Sequence, residues 1–218
     1  MSNFFNPDAP FMQGLSKIAD LILLNIFTVL LSIPIITAGA AVTALYDAIW
    51  RILRDEGSIY KNYFLAFKNN FKQATVLWLI VLFTGLLLVF SILFYVTNSM
   101  TIFTILASVV FLLWAIASAW VFPLQSRFEN PIKATIKNAL LCGLGHFPRS
   151  LFMAVLNLLP WVVFLFLTSV FFQMGFIWIS VWFGMAAYLN MMMIRKPFFK
   201  MAGVETEVTP VTEDEDEE

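Results

Sequence analysis

His146 and Cys142 are the only histidine and the only cysteine in this chain. Four residues apart, they invite a base-and-nucleophile reading. No acid or orienting group stands beside them in the sequence to complete such an arrangement. His146, in Gly145-His146-Phe147-Pro148-Arg149, reads as a structural hydrogen-bonder, and Cys142 reads as packing. There is no Gly-rich phosphate loop, no His-Glu-x-x-His helix and no Gly-x-Ser-x-Gly elbow. One cysteine excludes an internal disulfide, and no paired Cys or His spacing points to a metal. The sequence therefore predicts neither an enzyme nor a cofactor. The polar residues left inside apolar stretches are the amides Asn25, Asn157 and Asn190, besides Ser and Thr. Three amides would suit a sugar-sized site. They would equally serve as hydrogen bonds between helices, worth about 1 kcal/mol or less per pair, and that is the simpler reading.

The elements that carry these residues are set by where charge is missing. Between Lys72 and Arg127 the chain runs through 54 residues without one Asp, Glu, Lys or Arg, and between Arg149 and Arg195 through 45. A spanning helix takes about 20 mostly apolar residues, so each run accommodates two helices and a tight turn. A third uncharged run, Leu21 to Tyr46, supplies one more. The expected fold is an all-α integral membrane protein with five transmembrane helices, at about 18–41, 74–97, 101–124, 150–172 and 174–194. Residues 1–203 form one helical membrane domain. Residues 204–218, which include eight acids, form a disordered acidic tail. Met1 to Ser16 carries no Lys or Arg, so the first apolar run is expected to be retained rather than cleaved.

Twelve of the 13 basic residues fall in three segments, 47–72, 127–149 and 195–200, and five spans place all three on one side. The positive-inside rule makes that side the cytoplasm, with the N-terminus outside and the C-terminus inside. Pro34 lies within the first span and must kink it, releasing the carbonyl of Leu30. The small residues Thr37-Ala38-Gly39-Ala40-Ala41 follow, which suits close helix contact. Trp78 and Trp120 fit an aromatic belt at the inner ends of their helices, whereas Trp161 and Trp178 fit the core.

The inner segments are too apolar for simple loops. Val42, Leu45, Ile49, Ile52 and Leu53 recur at helical spacing, with Asp47, Arg51 and Asp55 on another side. After Gly57-Ser58, the residues Tyr60, Tyr63, Phe64, Phe67 and Phe71 form an aromatic stripe beside Lys61, Lys68 and Lys72. Asn130-Pro131 then opens a helix with Ile132, Ile136 and Leu140 on one face and Lys133 and Lys137 beside it. These read as interfacial amphipathic helices lying on anionic lipid. Arg51, Arg54, Tyr60, Lys61, Tyr63, Phe67, Lys68, Lys72, Lys133 and Lys137 are the candidate membrane-surface or partner-docking residues. Nothing points to a nucleic-acid partner.

The runs Thr37-Ala38-Gly39, Thr43-Ala44-Leu45-Tyr46, Arg54-Asp55-Glu56 and Phe67-Lys68-Asn69-Asn70-Phe71-Lys72-Gln73-Ala74 resemble the YesL-like family of bacterial multi-pass membrane proteins. The resemblance is densest over 37–74 and holds in pattern to about Lys200. It implies no enzyme activity. Genes of that family often neighbour those for sugar ABC importers in Gram-positive bacteria. What the resemblance implies is thus a plasma-membrane accessory subunit that contacts ABC permease subunits in carbohydrate uptake. The alternatives are a stand-alone small transporter acting as a homo-oligomer, and a membrane sensor or regulator working through its inner face and tail.

Overall fold

The computed structural model describes residues 10–54, 56 and 58–201; the acidic segment 204–218 lies outside the described residues. Among them all regular structure is helical. The order is α1 (Pro10–Ser32), a 3-10 turn (Ile35–Thr37), α2 (Ala38–Leu53), α3 (Ile59–Thr97), α4 (Thr101–Arg127), α5 (Ile132–Gly145), α6 (Phe147–Phe166) and α7 (Thr168–Gln173). A last rod joins α8 (Gly175–Ile177), a π-helical turn (Trp178–Trp182) and α9 (Phe183–Met201). Five helices are long and apolar enough to cross a membrane: Gly14–Ser32, Ile35–Leu53, Ile59–Thr97, Thr101–Arg127 and Phe147–Phe166.

That set differs from the expected one at both ends of the chain: the first expected span is two helices, the expected span at 150–172 stops at Phe166, and the expected span at 174–194 is not in the set, being divided among α8, the π turn and α9. Residues 18–41 are not one kinked helix. Pro34 is extended (φ −74°, ψ 109°), α1 ends before it, and the chain folds back on itself. Thr28 Oγ1 lies 3.0 Å from the Tyr63 hydroxyl, and that hydroxyl donates to the Ala41 carbonyl at 3.5 Å. A continuous helix would hold residues 28 and 41 about 20 Å apart, so α1 and α2 are an antiparallel hairpin. The reversal works because its backbone groups find partners. Ile33 N–H donates to the Leu30 carbonyl at 3.3 Å. The Thr37 hydroxyl donates to the carbonyls of Leu31 and Pro34, and Trp78 Nε1 donates to that of Ile35 at 2.7 Å. Proline alone would only have kinked the helix; Thr37 and Trp78 make a turn tolerable in an apolar setting.

Helix α2 is the centre of the molecule, with 12 of its 16 residues buried. Its small side chains allow this. A Cβ added at Gly39 would collide with Trp78 Cβ and the Ala74 carbonyl on α3, so α2 and α3 meet backbone to backbone. Leu24, Leu45, Ile49, Trp50, Tyr63, Leu77, Trp120 and Met191 pack around that contact. Farther along, α3 and α4 leave the core as a hairpin exposing Phe83, Phe90, Ile102 and Ile105, all above half exposed. Gly85 receives the Trp114 ring, whose Nε1 donates to Thr84 Oγ1 at 3.0 Å and fixes the hairpin's register. These bare apolar sides are what lipid would cover.

The aromatic stripe at 58–71 is not a separate interfacial helix. It is the start of α3, whose 39 residues run about 58 Å at 1.5 Å each, about twice a hydrocarbon core. No Gly or Pro stands between Lys61 and Val76, so nothing stops the helix. The second amphipathic segment is a separate helix, α5, ending at Gly145. Two tryptophans exchange places: Trp120 is fully buried, its Nε1 donating to Ser150 Oγ at 2.8 Å, whereas Trp161 is exposed.

Candidate functional site

Asp47 is 4% exposed and sits where α2, α3 and α4 meet. Arg51 follows it by one turn, so Nε reaches Asp47 Oδ2 at 2.9 Å. Arg127, the last residue of α4, brings Nη1 to Oδ1 at 3.0 Å. A carboxylate buried this deeply needs such partners, because an unpaired charge out of water costs several kcal/mol. Arg127 also lies over the Trp50 ring, 4.7 Å from its centroid. Trp50 in turn packs edge-on against Phe198, as does Phe128, with centroids 5.1 and 5.6 Å apart. Glu56 extends the network outward, 3.4 Å from Arg51 and 3.3 Å from Arg54.

Beside this network opens a cavity of about 610 Å³. Asp47, Arg51 and Arg127 form one side, and six amides, Asn62, Asn69, Asn70, Gln73, Gln125 and Asn130, form much of the rest. Helical spacing puts Asn62, Ala66, Asn69 and Gln73 on one face of α3, opposite the end of α4 and the short link to α5. Gln125 Nε2 donates to Asn70 Oδ1 at 3.1 Å, and Gln73 Nε2 donates to the Asn130 carbonyl. Gln125 Oε1 is buried and accepts from no protein group. A buried acceptor without a donor costs roughly 1–3 kcal/mol; the amide of this wall that a ligand can reach is the exposed Asn69.

The expected docking residues divide in two. Lys61, Lys68, Lys72, Lys133 and Lys137 are exposed. Tyr60 is also exposed, and its hydroxyl donates to Asp20 on α1. Arg51 and Arg54 belong to the ion network. Tyr63 is fully buried and pins α1 to α2, and Phe67 is half-buried against the core and edge-on to Phe71. Those two are packing residues, because α3 turns that side towards α1 and α2.

The three in-membrane amides do not form one set. Asn190 Nδ2 donates to Asn157 Oδ1 at 2.9 Å and to the Tyr46 hydroxyl at 3.0 Å. Asn25 instead accepts the Gly184 N–H at 2.7 Å, at the end of the π turn, and so ties α1 to α9. His146 Nδ1 lies 3.2 Å from the Cys142 carbonyl and its ring packs on Trp120, while the Cys142 thiol faces Met201. Burial raises the thiol's pKa. The two are not a catalytic pair, and among the described residues no group of His, Cys, Asp and Glu could hold a metal ion.

Gln73 and Gln125 escaped the sequence reading as site residues, although both stand at the feet of the apolar hairpin, where an amide is conspicuous. The Asp47–Arg127 pair could not be read, being 80 residues apart.

Compared with known proteins, residues 21–92 match a family model described as a protein of unknown function, DUF624. That is about a third of the chain, and it agrees with the YesL-like resemblance. The match takes in Asp47, Arg51 and the α3 wall of the cavity and stops short of Gln125 and Arg127. No curated protein matches, and no solved structure does either.

Proposed function

We propose that this protein is an accessory subunit of a carbohydrate ABC importer in the plasma membrane, and that the amide-lined cavity is where the importer's permease docks. The observation that carries this reading is the cavity itself. It is lined by six amides, and exposed lysines lie close by in sequence, Lys68 and Lys72 next to the lining residues Asn69 and Gln73 and Lys133 two residues past Pro131. Company with sugar-importer genes in the resembling family supplies the partner's class. The stand-alone transporter loses support, because Asn25 is committed to Gly184 while Asn157 and Asn190 bond each other.

The same reading revises the orientation. Ile33, Ile35 and Ile36, at the tip of the α1–α2 hairpin, are all above half exposed. An apolar exposed tip belongs in lipid, and it reaches only the level of Trp78, early in the apolar part of α3. The hairpin therefore enters and leaves on the inner side, and the N-terminus is cytoplasmic rather than external. Lys17 then joins the other 12 basic residues, so the positive-inside rule is met by all 13.

The test is purification of the tagged protein from its native membrane in mild detergent, for wild type and for Asn69→Trp, which fills the exposed rim of the cavity. Permease subunits in stoichiometric amount with wild type, reduced at least tenfold with the variant, are the expected result. A clean homo-oligomer without permease from both would overturn the proposal.

A further inference from the structure

We propose that the cavity is a binding site for an acidic, extended polypeptide, and that its occupant in the isolated protein is the chain's own segment 204–218. Three observations converge. The first is the site: six amides line it, Asn69 among them exposed, and a peptide N–H is a donor that an amide oxygen accepts well. Arg127 is a second polar anchor, having five N–H donors of which one is spent on Asp47. The second is charge. Asp47 is neutralised within the network, and Glu129 is exposed at the rim. The lining itself is balanced, Asp47 and Glu129 against Arg51 and Arg127, and the positive surplus lies beside it in sequence, in exposed Lys68 and Lys72, next to Asn69 and Gln73, and in Lys133, two residues past Pro131. Residues 205–218 carry eight acids and no base.

The third is the tether. Phe198 packs against Phe128, which lines the cavity, so α9 ends a few residues from the site. The 17 residues after Met201 reach up to about 55 Å when extended. A short tether gives an effective concentration of order millimolar, so even a weak peptide site is filled. Bound in this way, the segment would compete with a docking partner, which rests on the reading above; the occupancy itself does not.

Zero-length carbodiimide coupling on the purified full-length protein tests it, because it joins carboxylates only to amines in contact. An equal mixture of isotopically light and heavy copies separates links within a chain from links between chains. The expected result is intramolecular coupling of residues 213–218 to Lys68, Lys72 or Lys133. It should fall several-fold in 0.5 M salt, where the Debye length is about 4 Å against about 30 Å at 0.01 M, and equally in Asn69→Glu, an exposed rim change that should leave thermal unfolding unaltered. Links confined to Lys196 and Lys200 at the segment's root, links only between copies, or links indifferent to Asn69→Glu would overturn it. Because no permease is present, failure here leaves the co-purification result standing, and the reverse holds too.

Discussion

Asp47 shows how a residue that reads as one rung of a surface ladder becomes the pivot of an interior. Its i, i+4 partner Arg51 was legible from spacing alone. Its second partner, Arg127, was not, because nothing local records a contact across 80 residues. The two guanidiniums are partly shielded by Trp50 and by the cavity wall, so removing the carboxylate leaves both without their anion. Asp47→Ala should lower stability by about 3 kcal/mol, within the range for breaking a buried pair, read as a fall in melting temperature in detergent. An unchanged melt would mean that solvent already screens the network. Gly39 is the other decisive single residue. Gly39→Ala puts a methyl group into Trp78 and the Ala74 carbonyl, and overpacking of this kind costs roughly 1–3 kcal/mol. The same substitution at Gly145, where nothing lies within 4 Å, should be close to neutral in the same assay.

At the scale of elements, apolar runs, turns and basic segments were legible because a bilayer imposes simple length and charge rules. What they did not reveal was the reversal at Pro34. A proline inside 26 uncharged residues is compatible with a kink or a hairpin, and only the partners of the freed carbonyls decide. Nor did amphipathic spacing distinguish a helix lying on the surface from the first turns of a long α3, since both show the same stripe. The hairpin makes a definite prediction. A cysteine placed at the exposed Ser16 in a Cys142→Ser background should react with a membrane-impermeant maleimide only in inside-out vesicles. Labelling in intact cells would restore the external N-terminus and remove the re-entrant hairpin.

Over the whole molecule, burial is concentrated at one end and apolar exposure at the other. The packed end gathers α2, the starts of α3 and α6, and the ends of α4 and α9. The α3–α4 hairpin projects from it with bare Phe, Leu and Ile sides. Such a shape has a lipid-facing part and a polar, basic part with a cavity, and the account assigns partner contact to the second. The measurement that bears on this most directly is site-specific photo-crosslinking in native membranes, with the photoreactive residue at Asn69 on the cavity rim or at Leu86 on the apolar hairpin, 60% exposed. The account predicts a permease adduct from position 69 and mainly lipid from position 86. A permease adduct from 86 alone, or none from either position, would contradict it.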